Sequence, residues 1–201
     1  MTQHQVNYDE IAPGYDRRFL LDRSPLRVKA LRGLCQRLRA DRVLEVGCGT
    51  AYWLARLVAV SRELHGLDAS DGMLQQAQRR GARINLVRGY ARHLAYEPGS
   101  FDLVFCVNAL HHFQQPQSFI HDASRILRAG GVLAIVGSDP HGQRGSWYMY
   151  DYFEGTYQRD LERFPSWENV CAWMADAGFE RVALEGIERI YDPKYGRRVL
   201  E

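Results

Sequence analysis

Val43-Leu44-Glu45-Val46-Gly47-Cys48-Gly49-Thr50-Ala51 is a short, β-branched apolar run that stops at a glycine turn. With Arg42 before it, the run reads as a buried strand, and Leu54, Leu57 and Val58 then resume the spacing of an amphipathic helix. Glycine at 47 and 49 lets the backbone pass close beneath a ligand where a Cβ would collide, although a plain tight turn uses the same residues. A third glycine at position 52 would complete a dinucleotide fingerprint. Tyr52 stands there instead, and its ring obstructs the close helix–strand approach that a nicotinamide site needs. Asp68, at the end of the next strand, can accept both hydrogen bonds of a ribose diol, or serve as an ordinary cap or turn residue.

The alternation repeats on both sides of this segment. Ser24-Pro25 opens a helix running from about 25 to 39 on Val28, Leu31, Leu34, Cys35 and Leu38. Glu63 to Asp68 reads as a strand, Ser70 to Arg80 as a helix, Arg83 to Arg88 as a strand and Phe101 to Val107 as a buried strand. Pro116 to Arg128 reads as a helix closed by Gly130-Gly131, and Val132 to Val136 as another strand. Ser166 N-caps a helix that carries Val170, Trp173, Met174 and Ala177 and closes at Gly178; Phe179 to Ile190 reads as a further strand. Strands alternating with helices predict an α/β domain with a mainly parallel sheet, helices on both faces, and ligands at the carboxyl ends of the strands. Residues 138–165 break the rhythm with Trp147, Tyr148, Tyr150, Tyr152, Phe153 and Tyr157, and read as a cap inserted in a single domain spanning 1–201.

Composition narrows the function. The 201 residues carry 26 Lys+Arg against 24 Asp+Glu, a net +2, with 46% hydrophobic residues. Disorder, collagen and coiled coil are excluded, and so balanced a charge argues against a nucleic-acid or anionic-membrane footprint, though a local patch can hide in it. A small molecule is the expected acceptor. The sequence MTQHQVNYDEIAPGYD has no secretory pattern, and no apolar run approaches the roughly 20 residues of a membrane span, so a cytoplasmic protein without membrane insertion is expected. Cys35, Cys48, Cys106 and Cys171 are widely spaced, reading as free thiols with no metal site.

EVGCGTA at 45–51, HGLDASDGML at 65–74, SFDLVFCVNALHHF at 100–113 and RILRAGGVLAIV at 125–136 resemble the successive motifs of class I S-adenosylmethionine-dependent methyltransferases. The resemblance is to the small-molecule, type 11 branch that includes quinone-biosynthesis methyltransferases, and it extends from about Tyr8 to Phe179. It implies a Rossmann-like, doubly wound sheet and S-adenosylmethionine as cofactor. By that resemblance Gly47, Cys48 and Gly49 lie against the methionine part of the cofactor, Glu45 helps near its ammonium group, and Asp68 holds the ribose hydroxyls. Ala69 and Met73 form an apolar shelf for adenine, a position that helix packing would explain equally well for Met73. Tyr90 stands with Ala91 where relatives usually place an aspartate, and can stack or use its hydroxyl. Asn108 faces the methionyl moiety or the reaction centre. Tyr8-Asp9-Glu10-Ile11-Ala12-Pro13-Gly14-Tyr15-Asp16 looks like the family's YDxIAxxYD segment, so that residues 1–23 cover the cofactor and Tyr15 closes one side.

Methyl transfer from a sulfonium is an in-line displacement for which positioning can supply much of the acceleration. For a phenol, enol or acidic carbon, His111 or His112, at the carboxyl edge of the sheet, could take the acceptor's proton. His141, Trp147, Tyr148 and Tyr150 are candidates for the acceptor's lid, or for core or homodimer contacts. A planar or greasy acceptor is expected. The rivals are a nucleic-acid methyltransferase, against which Asn108-Ala109-Leu110-His111 lacks the Pro-Pro-aromatic sequence of a base-methylating site, and a noncatalytic cofactor-binding or interaction module. The family's sheet ends with a returning antiparallel strand. Tyr191 to Glu201 reads as too short for one, which predicts a shortened sheet edge, a strand from another subunit, or a truncated chain.

Overall fold

A computed structural model describes residues 6–20, 25–81, 83–142 and 149–187. The apolar run before the glycine turn forms the central strand, β1 (Arg42–Val46), and four more strands align with it: β2 (Glu63–Asp68), β3 (Ile84–Arg88), β4 (Phe101–Val107) and β5 (Leu127–Val136). They pair in the order β3-β2-β1-β4-β5, every pair parallel. β1 therefore lies between β2 and β4, and the order reverses there, leaving a crevice at the carboxyl ends of β1 and β4.

Eight α-helices complete the described chain: α1 (Tyr8–Ile11), α2 (Arg17–Leu20), α3 (Leu26–Leu38), α4 (Asp71–Arg79), α5 (Pro116–Ile126), α6 (Met149–Tyr152), α7 (Thr156–Arg163) and α8 (Trp167–Asp176). Alternate side chains of the central strands feed two cores. Leu44, Val46, Val104 and Cys106 join Phe119, Ile120 and Ile126 of α5, while Val43, Leu103, Phe105 and Val107 join Leu31 and Cys35 of α3 with Leu54 and Leu57. Both faces of the central strands β1 and β4 are thus buried, which is why these two read as nearly continuous apolar runs rather than alternating ones. At the amino edge Asp102 ties three strands together: Oδ2 accepts from the backbone N–H of Asp41 (2.9 Å) and Arg42 (2.7 Å), and Oδ1 pairs with Arg128. The opposite edge is left for the site.

Some sequence expectations need correction. Residues 54–57 form a 3-10 turn rather than a longer helix, with the Leu54 N–H held by the Glu45 carboxylate. α5 stops at Ile126 because Leu127 is already extended (φ −75°, ψ 137°), and Gly130-Gly131 lies inside β5. The glycines serve a bulge, not a helix end: the register shifts between Phe101 and Leu103, and a Cβ on Gly131 would lie 2.9 Å from the Arg128 carbonyl oxygen. Residues 179–187 form no strand. Phe179 packs against the core, but Leu184 is 63% exposed, and apolar alternation alone cannot make a strand without a ladder to join. Residues 188–190 of that expected strand, the segment 191–201 and the expected N-cap Ser24 lie outside the described residues. Among the described residues no helix is long and apolar enough to cross a membrane.

Candidate functional site

The turn after β1 is built from backbone that side chains disfavour. Gly47, Gly49 and Ala51 have φ of 71°, 52° and 55°, and the N–H groups of Gly47 and Cys48 both donate to the Leu67 carbonyl, at 2.8 and 3.0 Å. Position 51 is left-handed although it is not glycine, and the small Ala51 occupies it fully buried. Folding back onto β2 brings the turn over Asp68. Its Oδ2 accepts from the Gly49 N–H at 2.7 Å and its Oδ1 from the Ser70 N–H at 2.9 Å. Burial pushes the Asp68 carboxyl above its ordinary range despite these donors. Beneath the turn Glu45 is 1% exposed; burial raises its carboxyl well above the usual value, against one hydrogen bond from the Leu54 N–H at 3.2 Å.

The N-terminal segment closes over this floor through groups that the sequence reading quoted without assigning. Asp9 Oδ1 accepts from Ser70 Oγ (2.7 Å) and the Gly72 N–H (2.8 Å), pinning α1 to the start of α4. Seven residues on, Asp16 accepts from Thr50 Oγ1 at 2.6 Å and pairs with Arg80. The spacing of the two aspartates was the available signal. Tyr15 lies between these anchors, 3.9 Å from where a Cβ on Gly49 would stand. Asn108 sits past β4 with φ 51°, its N–H donating to the Val136 carbonyl at 2.8 Å.

The residues 44–135 match the model of a methyltransferase domain. Across 176 residues the chain is 34% identical to human methyltransferase-like protein 27, covering 84% of this chain and 70% of that one. The chain belongs to the class I S-adenosylmethionine-dependent methyltransferases. It is also 26% identical over 208 residues to a demethylmenaquinone methyltransferase of Listeria welshimeri (89% and 88% covered). A solved S-adenosylmethionine-dependent methyltransferase of Thermotoga maritima superposes with a TM-score of 0.62 at 25% identity, covering 87% of this chain and 80% of that one.

In this methyltransferase the residues expected near adenine are spread in character. Ala69 is exposed, Met73 is 1% exposed, Ala91 is buried, and Tyr90 is 54% exposed with the Arg92 guanidinium 5.0 Å from its ring centre. On the other side of the turn the Leu110–His112 3-10 turn carries both histidines. The Tyr8 hydroxyl and His112 Nε2 share a hydrogen bond at 2.7 Å, the two imidazoles stand 4.0 Å apart, and His111 stacks on Phe164 at 3.9 Å. His141 reaches the same place from the cap, its Nε2 donating to the Phe164 carbonyl at 2.9 Å. Tyr150 instead donates to Asp160 at 3.1 Å within the cap. Trp147 and Tyr148 lie outside the described residues. Asn108, His111, Phe164 and Trp167 line a small cavity of about 20 Å³, room for about one water molecule.

Burial pushes His111 down to about 3, helped by the charge of His112, Arg163 and Arg18; burial pushes His112 down to about 4, helped by Arg163 and Arg18. Both imidazoles are neutral at pH 7. Because their folded values lie below the unfolded value near 6.5, the unfolded chain takes up protons first as the solution is acidified. The stability they contribute is complete above about pH 6.5 and is lost as pH falls through the window toward about 4 and 3. The thermal midpoint is expected to fall between pH 7 and 5, and less steeply in a His111→Gln/His112→Gln variant; identical slopes in scanning calorimetry would refute the assignment.

Proposed function

We propose that the chain binds S-adenosylmethionine across the carboxyl ends of β1, β2 and β4 and transfers its methyl group to a small, planar or apolar acceptor. The observation that carries this reading is the Asp68 carboxylate. Each oxygen accepts one backbone N–H, from Gly49 or Ser70, and each keeps acceptor capacity that a pair of ribose hydroxyls matches. The donor set therefore fits the family's cofactor. Gly47, Cys48 and Gly49 would hold its methionine part with Glu45 and Asn108, while Ala69, Met73, Tyr90 and Ala91 would bound adenine.

When bound, the cofactor supplies an electrophilic methyl group on a sulfonium. The chain's own work is then to orient an acceptor and exclude water. Tyr15, anchored on both sides by Asp9 and Asp16, would cover the reaction centre. His111 and His112, being neutral and weakly basic, would hold the acceptor by hydrogen bonds more readily than remove its proton. The apolar ring of Phe164 supports a planar acceptor, and His141 and Tyr150 would shape the cap above it. The balanced overall charge supports a small molecule over nucleic acid, and a cytoplasmic place fits the same reading.

Isothermal titration with S-adenosylmethionine, S-adenosylhomocysteine and NAD tests the proposal. Saturable binding of the first two and none of NAD is expected. A folded sample that binds neither would move the noncatalytic interaction module to first place.

A further inference from the structure

The charge of the chain is unevenly placed. Eight of the 26 Lys+Arg but only two of the 24 Asp+Glu fall within residues 25–62, so this stretch holds +6 in a chain whose net charge is +2. Much of it stands on α3, a helix with no carboxylate of its own. Leu31 and Cys35 turn one side of the helix into the core, with Val28, Leu34 and Leu38 beside them. Lys29, Arg32 and Gln36, at i, i+3 and i+7, line the opposite side; Arg37 stands next to them and Arg39 follows as the C-cap, all five exposed. From Lys29 to Arg39 the row is about 15 Å long at the helical rise per residue.

The face continues onto the next segment. Arg32 Nε donates to the Arg56 carbonyl at 2.9 Å, which seats α3 against the 54–57 turn, and Val58 (51% exposed), Ala59 and Arg62 follow on the surface. The two carboxylates leave most of the charge unopposed: Glu45 is buried beneath the glycine turn, and Asp41 stands 4.0 Å from Arg62. Glu63, just past the stretch, takes Arg42 at 3.1 Å. Lys29, Arg32, Arg37 and Arg39 have no ion-pair partner among the described residues. Such a face fits a phosphate-rich partner, because guanidinium forks match phosphate oxygens and clustered charges add. Two features favour a lipid headgroup layer over nucleic acid. The rings of this stretch are already in use: Tyr52 stacks on Phe19 at 3.7 Å with the Arg56 guanidinium 3.4 Å from its ring centre, and Trp53 is 6% exposed, so neither is open to a base. Val58 and Ala59 instead present an apolar point among the arginines, which a bilayer boundary takes up and a phosphate backbone does not.

We propose that the outer face of α3, with Val58 and Ala59, docks on an anionic lipid surface. Lys29, Arg32, Arg37 and Arg39 meet the lipid phosphates, and the Val58 side chain enters the boundary between headgroups and acyl chains. The attachment is peripheral and reversible. Each basic residue held near an anionic surface raises partitioning roughly fivefold, and the attraction fades within about 10 Å at 0.1 M salt. The docking residues are none of those proposed to hold the cofactor, so the two readings stand or fall separately.

Co-sedimentation of the full chain with vesicles tests this, using phosphatidylcholine alone and phosphatidylcholine with about one-third phosphatidylglycerol. Binding to the second and not the first is expected, with release at about 1 M salt, where the screening length is about 3 Å. Lys29→Gln/Arg32→Gln/Arg37→Gln should lower the partition coefficient on the order of 100-fold. Val58→Ser should lower it several-fold, and Arg181→Gln, at an exposed residue outside this stretch, should change nothing. Melting curves and the S-adenosylhomocysteine titration check that each variant matches the parent chain. A labelled DNA duplex and a single-stranded RNA at the same salt form the rival arm. No vesicle binding by a folded chain, vesicle binding that the triple variant or Val58→Ser leaves unchanged, or tighter binding to either nucleic acid than to the vesicles would overturn the inference. A chain that docks on the vesicles but binds no S-adenosylhomocysteine would sink the cofactor reading alone.

Discussion

Asp68→Asn is expected to weaken S-adenosylhomocysteine binding by about 100-fold while the chain stays folded. The carboxylate spends one lone pair on the Gly49 N–H and one on the Ser70 N–H, so both oxygens are committed as acceptors. Asparagine offers one oxygen and one NH2. Whichever way the amide turns, its NH2 meets a backbone N–H donor to donor, and a diol loses an acceptor at that same atom. Hydrogen bonds to a charged group contribute about 1.5–3 kcal/mol each; the diol loses one outright and keeps the other only to a neutral amide oxygen, about 3 kcal/mol together, or roughly two decades in Kd. Asp68→Ala should lose binding altogether, because it also leaves the Gly49 and Ser70 N–H groups without the partner that shapes the turn. Calorimetric titration reads the affinity and circular dichroism the fold. An Asp68→Asn protein with unchanged affinity would place the ribose elsewhere.

The contrast between what the sequence predicts and what the fold contains follows from the range of the forces involved. Phe101–Val107 comes out at its expected bounds because a strand buried on both faces is a nearly pure apolar run, and Glu63–Asp68 does so because its polar ends bracket the buried Leu64, Gly66 and Leu67. Ser166 caps its helix as expected, and Ser70 caps α4 where it was read as the first helical residue, each through a hydrogen bond that reaches only three residues. Gly130-Gly131 misleads because a glycine pair marks a helix end and a bulge alike, and which one holds depends on the neighbouring strand. The strand expected over Phe179 to Ile190 misleads, in its described residues 179–187, for a related reason: alternation gives the propensity for a strand but not the partner.

The site divides the same way. The turn at Gly47 and Gly49 and the strand end at Asp68 were legible because both are local features, and the fold brings the Gly49 N–H within hydrogen-bond distance of Asp68. Tyr8 was not singled out, since its bond to His112 spans 104 positions and nothing near either residue announces it. The protonation of the histidines was equally hidden. Their positions after β4 suggested acid–base work near neutral pH, yet burial and two distant arginines set their values near 3 and 4. Charge that converges from α2 and α7 has no signature in spacing.

The two glycines of the turn should separate stability from binding. Gly47 has φ 71°, and a Cβ there would lie 2.7 Å from the Ala109 Cβ and 3.3 Å from Phe113 Cε1. Neither neighbour can step aside: Ala109 is buried behind the end of β4, and Phe113 packs edge-on against buried Phe119. The left-handed backbone costs alanine roughly 1–2 kcal/mol, and overpacking a tight core about 1–3 kcal/mol more. Gly47→Ala is thus expected to lose about 3 kcal/mol, lowering the thermal midpoint by roughly 6–12 °C for a chain of this size. Gly49 has φ 52°, and its added Cβ would meet only Tyr15 Cε1 at 3.9 Å. Gly49→Ala should therefore lose only the backbone share, about 1–2 kcal/mol. Its Cβ projects toward Tyr15, on the side where the cofactor is proposed to lie, so its affinity for S-adenosylhomocysteine should fall further than its midpoint implies. Differential scanning calorimetry of both variants, with and without S-adenosylhomocysteine, makes the comparison. Equal midpoints would mean that the Ala109 contact relaxes, and equal ligand-induced shifts would mean that Gly49 faces away from the ligand.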